Sequence, residues 1–158
     1  MFKKTETFTL KEATKKLEGY CAYQDRCHKE VVNKLREMGM IPIAIDEIIG
    51  HLIKENFLNE ERFARSFARG KFNIKKWGKH RVVNELKQRE ITKYNINLAL
   101  KEIEDTVYLD TLEQLAEKRL GQLTDTDLFK KRKKLADYLL YRGWESTLVY
   151  EITKRLVP

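Results

Sequence analysis

The sequence predicts an all-α protein built as three tandem three-helix, helix-turn-helix-like repeats packed end to end into an elongated, curved rod. Three observations carry that expectation. Helix formers dominate the 158 residues, of which 35% are charged and only two are proline and seven glycine. No long alternating run of Val, Ile and Thr offers a strand. A unit of about fifty residues recurs three times.

The repeat is visible in "KEVVNKLRE" at 29–37 and "HRVVNELKQ" at 80–88, with a third copy in "RKKLADYLLYRG". Anchored on Leu35, Leu86 and Leu139, the copies stand 51 and 53 residues apart. Val31, Val82 and Leu135 lie one helical turn before the anchors, on the same face. Ten residues beyond the anchors stand Ile45, Ile96 and Val149, and seventeen beyond stand Leu52, Ile103 and Leu156. Upstream, Ala13, Ala64 and Ala116 keep the offset, the last with one extra residue. These side chains are read as core. They carry fold, not chemistry.

Cap chemistry sets the boundaries. Thr9 with Glu12 makes a capping box, Asn59 with Glu60 and Glu61 opens the fourth helix, and Asp125-Thr126-Asp127 opens the eighth. Gly39 and Gly143 suit left-handed positions that end a middle helix, and Pro42 suits the first turn of the next. The expected organisation is an N-terminal arm at 1–8, then repeats at 9–57, 58–104 and 105–158. One repeat alone buries little apolar surface, so neighbours are expected to lean on each other.

Several functions are disfavoured by what the chain carries. It lacks an apolar run of the roughly 18 to 20 residues that a membrane span needs, and the segment "MFKKTETFTL" is not a signal peptide. A cytoplasmic monomer without membrane contact is expected. Cys21 and Cys27, six residues apart, are read as small buried apolar side chains and not as a disulfide or a zinc site. His28, His51 and His80 fall at unrelated places, and no nucleophile elbow, zinc-protease or phosphate-loop motif occurs. No enzyme activity, metal or cofactor is expected.

The net charge of +8 points to an anionic partner. Its distribution is more telling. Residues 1–56, 57–104 and 105–158 carry +1, +6 and +1. The excess concentrates in "RFARSFARGKFNIKKWGKHR" at 62–81, with eight bases and no acid. On a helix Arg62, Arg65 and Arg69 fall within about 60° of one another, opposite Phe63, Ala64, Phe67 and Ala68.

The arginines are therefore expected to form an uncompensated stripe facing water, with the phenylalanines in the core. Lys71, Lys75, Lys76, Lys79 and Arg81 extend the positive surface, and Trp77 interrupts it as either a contact or a plug between units. Guanidinium groups suit this pattern because a planar fork gives two donors to phosphate or carboxylate oxygens. A second run, Lys130, Lys131, Lys133 and Lys134 around Arg132, is either a solvated face or an auxiliary contact, with Asp125, Asp127 and Asp137 nearby. Reading of duplex sequence by a third helix is disfavoured, because Asp46 and Glu47 would meet phosphate in the first unit.

At this point the chain resembles the RecX family of small RecA regulators. The resemblance rests on "ENFLNEERFARSFARGK", "WGKHRVVNELKQREI" and "LADYLLYRGW", and spans about residues 10–156. It implies a modular rod lying in the groove of a RecA filament on DNA, impeding ATP turnover, strand exchange and repressor cleavage within DNA repair and SOS regulation. It also implies no catalysis, and places the binding surface on Asn59–Arg81, centred on Arg62, Arg65 and Arg69. Single- or double-stranded DNA is an expected weak, salt-sensitive partner. Two other readings stand beside it: a nucleic-acid binder acting without RecA, and a helical scaffold for another acidic protein. One departure is Glu90-Ile91, where the family commonly has Gly-Ile. Either a left-handed Glu90 costs roughly 1 kcal/mol, or that helix ends differently.

Overall fold

The computed structural model describes residues 7–158, and among them nine α-helices and no strand. Residues 1–6 of the expected arm lie outside the described residues. The helices come in threes: α1 Leu10–Tyr23, α2 His28–Glu37 and α3 Pro42–Lys54; α4 Glu60–Lys75, α5 Lys79–Gln88 and α6 Lys93–Leu100; α7 Asp105–Gln122, α8 Leu128–Tyr141 and α9 Ser146–Leu156.

Starts follow from side chains that satisfy the free N–H groups of a first turn. The Thr9 hydroxyl accepts from the Glu12 N–H, and the Glu12 carboxylate accepts from the Thr9 N–H, both at 3.1 Å. Asn59 Oδ1 accepts from the Arg62 N–H at 2.9 Å to open α4. Asp127 caps α8 by accepting from Phe129 and Lys130, and Pro42 occupies the first turn of α3.

Ends of the middle helices repeat more closely than the sequences around them. Gly39, Glu90 and Gly143 all take the left-handed conformation, with φ of 78°, 60° and 90°. The next residue in each case, Met40, Ile91 or Trp144, donates back to the carbonyl of Leu35, Leu86 or Leu139 at 3.1 to 3.2 Å. The anchor leucine thus supplies a core side chain and the cap acceptor together. Glu90 keeps this geometry without being glycine, at the steric cost of a Cβ in that region.

Packing follows the predicted faces. Ala13, Leu17, Val31, Leu35, Ile45, Ile48 and Leu52 fill the first core together with Leu58. In the second, Ala64 and Ala68 on α4 and Ala99 on α6 are fully buried, and small side chains let these two helices approach closely. The third gathers Tyr108, Leu112, Ala116, Leu135, Leu139, Trp144 and Val149.

Each later core also borrows from the unit before it. Cys27, fully buried, sits in the second core with Phe63, Val82 and Leu86, while Phe72 of α4 sits in the third with Tyr108 and Trp144. None of the three clusters mixes side chains of the first and last units. The units therefore stand in chain order. Cys21 and Cys27 are free and buried, and burial pushes the Cys27 thiol up to about 11.

Candidate functional site

The middle unit carries the charge excess on α4 and the turn into α5. Helix α4 turns Phe63, Ala64 and Ala68 into the second core and Phe72 into the third, with Phe67 half-buried against the second. That orientation obliges Arg62, Arg65 and Arg69 to face outward, where their side chains are 38%, 34% and 49% exposed. They are not, however, an unpaired stripe.

Arg62 Nε donates to Asp25 Oδ1 of the first unit at 2.7 Å. Its remaining N–H groups reach Asn56 Oδ1 and the Asn56 and Phe57 carbonyls at 3.2 Å each. Arg65 and Arg69 share one carboxylate: their Nη1 atoms stand 3.0 and 3.3 Å from Glu102 Oε1. Arg65 also lies 3.5 Å from Glu61. The hydrogen bond from Arg65, with that from Arg69 and both positive charges, holds the Glu102 carboxyl below its ordinary value, against a smaller opposing effect of desolvation.

The expectation of uncompensated arginines facing water is thus corrected. Acids distant in sequence, Asp25 and Glu102, are folded against α4, and a charge count along 62–81 does not see them. Arg62 in particular fastens the first unit to the second.

The lysines differ. Lys71 lies over the rings of Phe67 and Trp77, 5.5 and 5.0 Å from their centroids. Arg81 lies over Trp77 at 4.3 Å and over Tyr141 of the third unit at 5.1 Å. Trp77 thus holds a cation-bearing surface. It packs within the second core, half-buried and edge-on to Phe67, and does not plug a joint between units. Lys79 lies over Tyr108 at 4.5 Å and stands 3.5 Å from the exposed Asp105. Lys75 and Lys76 are exposed at the end of α4, with Lys76 left-handed at φ 57°.

Among the described residues, Lys71, Lys75, Lys76 and Arg81 have no carboxylate partner within 4.0 Å. In the second run, Lys133 pairs with Asp137 and Lys134 with Asp125, each at 2.9 Å, leaving Lys130 and Lys131 without one. Arg89, not singled out by the sequence, adds to the surface by stacking 4.8 Å over Phe67. Its spacing from Phe67 spans two helices, so no local pattern marks it.

No group of three or more His, Cys, Asp or Glu that could hold a metal ion occurs among the described residues, and none of their helices is long and apolar enough to cross a membrane.

These features define an all-helical protein of three tandem three-helix units with a basic, aromatic-backed surface on the middle one. Two family models match it: the second three-helix domain of RecX over residues 59–100 and the third over 106–153. The chain belongs to the RecX family. It is 33% identical to Regulatory protein RecX of Serratia proteamaculans over 110 residues, covering 70% of this chain and 64% of that one. It is 27% identical to Regulatory protein RecX of Lactobacillus delbrueckii subsp. bulgaricus over 139 residues, covering 88% and 51%. The matches thus span between about half and two thirds of these curated relatives. Among solved structures, RecX from Lactobacillus salivarius superposes with a TM-score of 0.80 at 26% identity, covering 93% of this chain and 96% of that one.

Proposed function

We propose that this chain is a non-enzymatic regulator that docks in the groove of a RecA filament on DNA and lowers recombinase activity: ATP turnover, strand exchange and co-protease function. Family membership carries the reading, and the relatives matched are named regulatory proteins. The surface supports it. Lys71, Lys75, Lys76, Lys79 and Arg81 present cations along the end of α4 and the start of α5, three of them steadied by aromatic rings. Arg62, Arg65 and Arg69 serve first to position α4 between its neighbours, so the lysines and Arg81 form the contacting edge.

Titrating the protein into RecA, ATP and single-stranded DNA tests the reading. ATP turnover should fall as the protein approaches stoichiometry with RecA, and unchanged turnover at equimolar protein would overturn it. Because the arginines are paired, binding to DNA alone should be weak. With about four phosphate contacts, affinity would fall about 10² between roughly 50 and 200 mM salt. A much steeper loss, with tight binding at low salt, would favour the recombinase-independent reading.

A further inference from the structure

At the joint between the second and third units lies a cavity of about 230 Å³ lined by Lys75, Lys76, Lys118, Arg119 and Arg142, together with Ile74, Leu115, Gln122 and Tyr138. Five cations line it and no acid. Four other cavities on the molecule each include at least one carboxylate, such as Glu113, Asp25, Asp137 or Glu85. Among the described residues none of the five cations is within 4.0 Å of a carboxylate oxygen.

The simplest structural account is that the cations neutralise helix ends. Helices α4, α7 and α8 all finish here, at Lys75, Gln122 and Tyr141. Three C-termini supply about −1.5 elementary charges, which leaves a surplus of about +3.5 from five cations. Helix dipoles therefore explain less than half of the cluster.

The guanidiniums are also held in place before any ligand arrives. Arg119 and Arg142 lie 4.7 and 4.9 Å from the centroid of the Tyr138 ring. Arg142 Nη1 donates to the Lys75 carbonyl at 2.5 Å. Arg119 Nη1 reaches only Gln122 Oε1, at 3.4 Å, and its Nε is buried with no hydrogen-bond partner. A buried donor without an acceptor is uncommon, and each one calls for an explanation. An oxyanion in the cavity would neutralise the surplus charge and accept from the ammonium and guanidinium N–H groups that line it. The space is several times the ~30 Å³ share of one water molecule, enough for a phosphate group with part of its hydration.

We infer that this joint is a phosphate-binding site, which takes the oxygens of a phosphate or polyphosphate group between the second and third units. The site shares Lys75 and Lys76 with the edge proposed to contact the filament, but its test needs only the protein and the anion, so the two readings fail separately. The phosphate could belong to a free polyphosphate or to a nucleic-acid strand, and the two are separable.

Calorimetric titration of the full chain with inorganic triphosphate, and separately with a short oligothymidylate, tests it. The variant is Lys75→Glu with Lys118→Glu, both exposed, and the control is Lys130→Glu with Lys131→Glu, which changes net charge equally outside the cavity. Saturable binding is expected to weaken about tenfold or more in the first and less than about twofold in the second. If triphosphate shows this pattern the site takes free phosphates; if only the oligonucleotide does, it takes strand phosphates. Circular dichroism should show both variants folded. Equal weakening by the two variants, or no saturable binding of either probe to the parent protein, would overturn the inference.

Discussion

The two joints between units are built from different materials. The first is largely polar and runs through side chains: Arg62 to Asp25, the Lys29 ammonium to the Gln88 carbonyl at 2.9 Å, and Glu60 accepting from the His28 N–H at 3.2 Å, around the single buried Cys27. The second is aromatic and runs through backbone. Phe72, Tyr108 and Trp144 cluster, with the last two rings stacked at 4.4 Å. Gly78 N–H donates to the Arg142 carbonyl at 2.8 Å, His80 N–H to the Gly143 carbonyl at 3.0 Å, and Trp144 Nε1 to the Lys76 carbonyl at 3.1 Å. Half-exposed ion pairs are weak and salt-screened, whereas buried rings and backbone bonds are neither. The last two units should therefore behave as one body and the first as the more readily detached.

The largest effect that can break this contrast is expected from Trp144→Ala. Trp144 is 1% exposed at the centre of the second joint, and its removal should cost about 3–5 kcal/mol in urea unfolding. A loss under about 1 kcal/mol would show that the ring is not the fastener. Next comes Gly143→Ala. Gly143 has φ of 90°, and a Cβ there would stand 2.2 Å from the Arg81 Cβ, so α5 and the α8–α9 turn would have to part. The cost should be about 2–3 kcal/mol in the same assay, and in a Trp144→Phe background, where Trp77 is the sole tryptophan, fluorescence reports whether the second unit is disturbed.

The contrast also explains what could be read from the sequence. The repeat was legible because Leu35, Leu86 and Leu139 each do the same two jobs, core and cap, so selection on either leaves the same periodic mark. Phe63 and Ala68 were legible because helical spacing sets them opposite Arg62, Arg65 and Arg69. The pairing of the arginines was not, because Asp25 and Glu102 lie 37 positions away from Arg62 and Arg65 respectively, and nothing local announces a side-chain contact of that span. The close approach of Gly78 and Gly143 was not legible either, since the two meet only when the third unit folds back. Lys118, Arg119 and Arg142 were passed over because they sit on two separate stretches, the end of α7 and the residue after α8, which meet Lys75 and Lys76 only at the joint.

At the first joint, Arg62→Ala should cost about 1–2 kcal/mol, the worth of a few partly exposed hydrogen bonds to a charged group. The part of that difference due to the Asp25 ion pair should vanish in high salt, while the Trp144→Ala penalty should not. Equal salt sensitivity of the two variants would erase the distinction between the joints. Smaller still, Glu90→Gly should raise stability by about 0.5–1 kcal/mol, because glycine relieves the left-handed strain at φ 60° but loses more backbone entropy. The change leaves both joints untouched, so it should shift the unfolding midpoint without altering salt dependence.

The smallest effects at neutral pH belong to two titrating groups, and they emerge at opposite ends of the scale. The Glu102 carboxyl is depressed by the hydrogen bond from Arg65, so its contribution is present above its ordinary value of 4.5 and is lost as pH falls through the lower folded value. Tyr108 is shifted the other way, chiefly by burial and then by its hydrogen bond to Glu145, while its oxygen accepts from the Lys79 N–H at 2.9 Å. A raised acid is favoured protonated, so its contribution is complete below its ordinary value of 10.0 and is lost as pH climbs beyond it. Acid should therefore loosen the arginine pairs of the middle unit, and alkali the joint to the third. Urea midpoints followed across pH should show a shallower acid limb in Glu102→Gln and a shallower alkaline limb in Tyr108→Phe. If either substitution flattened both limbs, the two regions would be coupled more tightly than their separate chemistries allow.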